Sequence, residues 1–322
     1  MAHTSVEPLI GVTYCPQTGQ LFDIYSKLKY MGANAVQLVI SNTRGTSYYP
    51  SDEDIDARMN NLDVYMVAHG MYTINLCNRG SQYNFNKREL IKQMQICEQL
   101  QSDIVIHQGK NTNKLPLINA MQVYVDAVSE IIRDSRTETT RVLLENSSHA
   151  GTEMGYNVEQ LAQIYKLFPS DIKPRIGFCL DTCHAFVAGE LDMRNLNSIK
   201  QFLCDFDRQI GFDKLCVIHM NDSKSKFGSH SDRHSSWMFG HITNKHIDGS
   251  NIYGLLYFML IIGNKIIPMV TETDVDKYEW DVAFLKNVIY SYNLKKAKEN
   301  VEKMFEVKSI DTCQYKTNEL RM

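Results

Sequence analysis

No apolar run in this sequence is long enough to cross a bilayer. The longest, IYGLLYFMLII, falls short of the roughly 20 residues that the hydrocarbon thickness demands. The opening MAHTSVEPLI lacks the basic patch and following apolar stretch of a secretory signal. Membrane association and secretion are therefore not expected. Phosphate-cradling loops are missing as well: Gly45, Gly109 and Gly151 belong to no GxxxxGK[ST] or GxGxxG arrangement after a strand-like run, so no nucleotide cofactor is expected. There is no excess of positive charge. The formal net charge of −3 speaks, taken alone, against a nucleic-acid partner. Regularly spaced cysteines are lacking too. The eight present are scattered through a chain able to build a full core without staples, which points to an intracellular, reducing compartment, cytoplasm or nucleus.

What is present is the composition of an ordinary globular chain. Of its 322 residues 43% are hydrophobic and 22% charged, with no shift that marks a second domain. Short Val- and Ile-rich runs alternate with stretches of helical period, the pattern of a parallel sheet built from βα units. Eight strands are predicted, at 10–15, 35–40, 64–70, 103–109, 141–147, 176–184, 214–222 and 266–274. Eight such repeats indicate an α/β fold of the (β/α)8 TIM-barrel type, with residues 1–293 as a single domain. The segment 86–101 is predicted helical, with Leu90, Ile91, Met94, Ile96 and Cys97 on its apolar face. A long connection, 222–250, follows the seventh strand, and loops of that length in compact domains are more often functional than accidental. Residues 294–322 read as a charged C-terminal helix or tail.

Chemistry-bearing residues fall at the C-terminal ends of consecutive strands. His69 ends the third, His107 the fourth, Glu145 the fifth, Asp181 and His184 the sixth, His219 the seventh and Glu272 the eighth. In a barrel those ends converge on one mouth. Asp232 and His234 in the long connection are two residues apart, so an extended backbone aims both side chains the same way. Buried carboxylates and imidazoles must be paired or must coordinate a metal, and these nine exceed what one tetrahedral ion takes. Three metal ions use them fully if one carboxylate bridges. Three divalent ions would also carry six positive charges and turn the balance of −3 into +3, concentrated at one site.

The segments VAHGMYTINL, IVIHQG, LLENSSHAGTEMG, CLDTCHAFVAG, VIHMNDSKSKFGSHSDRH, FGHI and TETD resemble, in order and spacing, the signatures of the endonuclease IV family of abasic-site nucleases. The resemblance runs from about residue 10 to 275. It implies a DNA repair enzyme that hydrolyses the phosphodiester 5′ to an abasic site in double-stranded DNA. The products would be a 3′-hydroxyl and a 5′-deoxyribose phosphate, with trimming of 3′ ends besides, and no protein nucleophile is needed. It further implies that His69, His107 and Glu145 hold one zinc, that Glu145, Asp181, His219 and Glu272 hold a second, and that His184, Asp232 and His234 hold a third. Glu145 and Glu272 are the carboxylates assigned to catalysis, and manganese is admissible at one position by ligand type. Arg44 and Tyr72 occupy positions the family uses on DNA, and a monomer is expected.

The sequence departs from the family at Thr46, where tryptophan is frequent, and at Thr73, where a larger apolar residue is. Two more departures are SSHAG, which introduces His149, and WMFGHI, where a glycine and a glutamate more often precede Gly240. His149, His230, His241 and His246 are read as non-ligands, and Cys179 and Cys183 as core residues. The alternative function is a metal-dependent sugar isomerase or epimerase on the same barrel. The Asp232/His234 pair discriminates, because a third metal has no role in that chemistry.

Overall fold

The structure is a computed structural model that describes residues 8–243, 254–255, 257–259 and 267–290. The predicted tail 294–322, His246 and the end of the 222–250 connection lie outside the described residues. All eight expected strands are present: β1 Ile10–Tyr14, β2 Ala35–Val39, β3 Tyr65–His69, β4 Asp103–His107, β5 Val142–Glu145, β6 Ile176–Asp181, β7 Leu215–His219 and β8 Met269–Thr271. They close into one parallel barrel, each strand pairing with its neighbours in sequence and β8 returning to β1. Closure pairs every barrel strand on both sides.

Alternation of side chains along each strand divides the core in two. Even-numbered residues such as Val36, Leu38, Met66, Ile104, Leu144 and Ile218 face outward and pack in the larger apolar cluster beneath the helices. Inward residues Ala35, Val67, Val105, Leu143, Cys179, Val217 and Val270 form a separate cluster inside the barrel. Each buried Val or Leu contributes about 1.5–3 kcal/mol. This inner layer is therefore a firm platform beneath whatever stands two residues further along the same face.

The helices around the barrel include α1 Leu21–Met31, α2 Asp52–Met59, α3 Tyr83–Gln99, α4 Leu117–Ser135, α5 Val158–Leu167, α6 Thr182–Val187, α7 Leu196–Gln209 and α8 Tyr278–Tyr290. α3 begins three residues before its predicted start; Leu90, Met94, Ile96 and Cys97 are buried as expected, and Ile91 is partly so. Ser51 starts α2 through a capping box with Asp54, whose carboxylate also accepts the N–H groups of Gly19 and Leu21 at 2.7 and 2.9 Å. β6 stops at Asp181 rather than at the expected residue 184. The reason is local: the Asp181 carboxylate accepts the N–H of His184 at 2.7 Å and so caps α6.

The long connection is organised by another strand-end acid, Asp222. Its buried carboxylate accepts the N–H groups of Ser223, Gly240, Ile242 and Thr243 at 2.7, 3.2, 2.8 and 3.3 Å. Gly240 is required there, since a Cβ would lie 2.3 Å from Asp222 Oδ1. No described helix is long and apolar enough to cross a membrane.

Candidate metal centre

Two residues beyond each inner-layer side chain the same face of the strand turns polar. Val67 is followed by His69, Val105 by His107, Leu143 by Glu145, Cys179 by Asp181, Val217 by His219 and Val270 by Glu272. Parallel register aligns two pairs directly, His107 with Glu145 and Asp181 with His219. The platform thus delivers six predicted residues to one end of the barrel. His184 comes from the first turn of α6, and His234 from a two-residue ribbon in which His234–Ser235 pairs with Asp222–Ser223. Asp232 stands two residues before His234, as expected, and the two side chains converge at 3.2 Å.

Glu145 lies at the centre and is fully buried. One of its oxygens is 3.2 Å from His69 Nε2 and 3.3 Å from His107 Nε2; the other is 2.9 Å from His219 Nδ1 and 3.4 Å from His184 Nδ1. His219 Nδ1 also lies 3.2 Å from Glu272 and 3.8 Å from Asp181. On the outer side, Asp232 faces His184 Nε2 at 3.1 Å, and His234 Nε2 lies 3.5 Å from Asp181. Ligand atoms of His69, His107 and Glu145, and those of Glu145, Asp181, His219 and Glu272, each fall within 4.8 Å of one another. Asp181, His184 and His234 form a further such group. The outer group thus brings Asp181 in alongside the expected His184, Asp232 and His234.

Hydrogen bonds behind the imidazoles decide which nitrogen carries a proton. His69 Nδ1 donates to Gly70 O at 2.8 Å, His184 Nδ1 to Asn146 O at 2.9 Å, His234 Nδ1 to Glu272 O at 3.2 Å and His219 Nε2 to Gln37 Oε1 at 2.7 Å. In the neutral ring the opposite nitrogen then carries a lone pair, and in all four it points at a carboxylate oxygen. Two acceptors cannot face each other at such distances unless a proton or a cation lies between them. The pair Asp232 Oδ1 and His234 Nε2 shows this directly, being buried without a hydrogen bond. The donor set, imidazole and carboxylate with fixed tautomers, fits divalent ions.

Protons mediate these contacts when no cation does. Burial alone would raise the pKa of Glu145, but His107 and His219 outweigh it and hold the carboxyl well below its ordinary value. Burial raises Asp181 against the pull of His184 and His234. Burial drives His107 down to about 4. For His234 burial opposes the charged form, yet Asp181, Asp232 and Glu272 lift it to about 9. A divalent ion would displace such protons.

Sequence reasoning missed the residues that hold these side chains in place. Gln37 binds His219 and donates Nε2 to Glu272 Oε1 at 2.7 Å; Asn221 donates to Asp181 Oδ2 at 2.7 Å and to Glu272 Oε2 at 3.1 Å. Asn146 bonds the backbone of Asp181 in both directions, at 3.1 and 2.7 Å. Gln37 was detectable by parity, since it stands two residues after Ala35 on the inner face of β2.

The sulfurs of Cys179 and Cys183, read as core residues, are buried but come within 4.8 Å of ligand atoms. Burial pushes the Cys179 thiol up to about 12 and raises that of Cys183, so neither is a ready thiolate. His149 and His230 lie apart from these groups, packed on one another with ring centroids 4.7 Å apart, and His149 stacks on Tyr156 at 3.6 Å. The His241 N–H donates to Ser223 O at 2.7 Å, within the described part of the connection.

A cavity of about 270 Å³ opens above the centre, and Tyr72, Thr73, His107 and Glu272 are among its walls. Tyr72 is 63% exposed and meets the His107 ring edge-on at 5.2 Å. Arg44 is exposed at the tip of a ribbon, Ser41–Asn42 against Gly45–Thr46; Thr43 beside it reaches the cavity wall. Thr46 ties that ribbon to α3: its N–H and hydroxyl both donate to Glu89 Oε2, at 2.8 and 2.9 Å.

The family profile of the xylose isomerase-like TIM barrel matches residues 25–252. A relative named endonuclease 4 in Halothermothrix orenii is 34% identical over 241 residues, covering 73% of this chain and 84% of that one. One in Acanthamoeba polyphaga mimivirus is 33% identical over 221 residues, 66% and 68% of the two chains. Among solved structures, endonuclease IV from Thermus thermophilus superposes with a TM-score of 0.73 at 20% identity, over 88% of this chain and 100% of its own. A D-tagatose 3-epimerase-like protein superposes at 0.61 and 17%, over 92% and 98%. At such identities structural likeness speaks for the barrel alone, which nucleases and epimerases share. The sequence relatives narrow it: this chain belongs to the endonuclease IV family of AP endonucleases.

Proposed function

We propose that the protein hydrolyses double-stranded DNA 5′ to abasic sites, leaving a 3′-hydroxyl and a 5′-deoxyribose phosphate, and that it trims blocked 3′ ends at the same centre. The observation that carries this reading is the convergence of five imidazoles and three further carboxylates around Glu145, with Asp232 and His234 extending the set beyond two ions. His69, His107 and Glu145 would hold one zinc, Glu145, Asp181, His219 and Glu272 a second, and His184, Asp232 and His234 a third, with manganese admissible at one position. Bound there, the ions would supply positive charge to phosphate oxygens and acidify water.

The chain's own part is placement. Glu145 turns one oxygen to His69 and His107 and the other to His219, which sets the spacing between the first two groups. Glu272 is held from two sides by Gln37 and Asn221, so its oxygens stay aimed at the centre. Tyr72 would fill the space beside an exposed lesion, and Arg44 would meet the duplex from its ribbon. Residues 1–293 would form one catalytic unit, acting as a monomer in a reducing compartment, with 294–322 as an appended tail.

The test is incision of a labelled duplex bearing one abasic analogue, run beside metal analysis of the same preparation. Chelator-sensitive cutting 5′ to the lesion, with about three zinc ions per chain, is expected. Failure to cut the lesion-bearing duplex in preference to an intact one would sink the reading.

A further inference from the structure

Beyond the candidate metal centre, the described part of the long connection ends in a built aromatic platform. Met238 has φ +74°, a left-handed conformation rare for a residue with a side chain and found where surrounding contacts enforce it. Those contacts are present: Met238 N–H donates to Thr243 Oγ1 at 2.7 Å, and Trp237 N–H to Asp281 Oδ1 at 3.0 Å. The turn throws Phe239 outward, leaving it 61% exposed. Its ring is nonetheless held, lying 5.8 Å from Trp280, edge toward face. Trp280 in turn is fixed by an indole N–H bond to Trp237 O at 3.0 Å.

Phe239 walls a cavity of about 310 Å³ shared with His234 and Glu272, so it is continuous with the metal centre. Charge on this wall is mixed. Lys224 and Lys277 line it, but so does Asp274, and Lys277 is paired with Asp276 at 2.8 Å. A surface so balanced is a poor phosphate clamp, which leaves an exposed ring face as its chief means of recognition. We propose that Phe239 is a stacking platform for a nucleobase of the DNA strand that runs past the metal centre, a base subsite beside the cut. Ring stacking tolerates any base, because every base has a π-face. The proposal rests on the nuclease reading.

The experiment places 2-aminopurine in turn at nucleotides flanking an abasic analogue in a duplex. Fluorescence on binding and the KM and kcat of incision are compared for the wild type, Phe239→Ala and Phe239→Tyr, with melting temperature and metal content measured on each. Stacking predicts quenching at one flanking position in the wild type. Phe239→Ala should lose it and raise KM about tenfold, with a smaller change in kcat and unchanged metal content, and Phe239→Tyr should restore both. Quenching at no position, or a Phe239→Ala enzyme with wild-type KM, overturns the platform while leaving the nuclease reading intact. A wild-type protein that neither binds nor cuts the duplex overturns both.

Discussion

Gln37 Oε1 lies 2.7 Å from His219 Nε2 at the floor of the candidate metal centre, and this one contact fixes which nitrogen of His219 keeps a lone pair. The amide of the same side chain holds Glu272. Replacing Gln37 with alanine should therefore release two of the proposed ligands without removing either. Outer partners of metal ligands are worth about 10- to 100-fold in metal affinity or activity, and a loss in that range is expected for Gln37→Ala. Zinc titration with a competing chelator measures it; wild-type affinity in a folded variant would show that Gln37 is packing alone.

Glu145→Gln should be more damaging, because the carboxylate faces imidazoles of separate groups with its two oxygens. The amide offers one acceptor, carries no charge and turns a donor toward the other group. Metal content should fall and incision should drop by more than the roughly 100-fold upper range of an outer partner. Full incision with undiminished zinc would exclude a bridging role.

Arg44 rides on a ribbon pinned to α3 through Thr46 and Glu89. If Arg44 meets a phosphate, Arg44→Ala should weaken binding to all sequences alike and reduce the slope of log affinity against log salt by about one. Glu89→Ala should reproduce part of that effect while leaving metal content unchanged, since it frees the ribbon and touches no ligand. An unchanged salt slope in both variants would remove Arg44 from the DNA contact surface.

Away from the site, Glu98 accepts the N–H groups of Glu138, Thr139 and Thr140 at 3.1, 3.1 and 2.8 Å. Burial favours its protonated form, but these backbone donors outweigh it and lower its pKa from 4.5 to about 2. A lowered carboxyl stabilises the fold fully above its ordinary value and loses that contribution as pH falls through the lowered one. Glu98→Gln should therefore lower the melting temperature by a few degrees at pH 7, and by less as the pH is taken from 5 toward 3. A gap that widens on acidification would contradict the assignment.

Much of this protein is determined locally and is readable in the sequence. Eight short β-branched runs separated by helical periods specify the barrel, and each strand reads correctly to within a few residues because inner and outer faces are both apolar. Placement of His, Asp and Glu at strand ends announces the centre, since parallel strands in a closed barrel have only one mouth to share. Tertiary structure decided the rest. The end of β6 depends on Asp181 choosing a cap, and the tautomers depend on Gly70, Asn146, Glu272 and Gln37 arriving from other elements. Gln37 and Glu272 meet across 235 residues of sequence separation. Hydrogen bonds of that kind are set by register and closure of the barrel, which no local pattern contains. Phe239 is the same case: its exposure follows from a left-handed turn enforced by Thr243 and Asp281, a conformation that the residue before it would not adopt on its own.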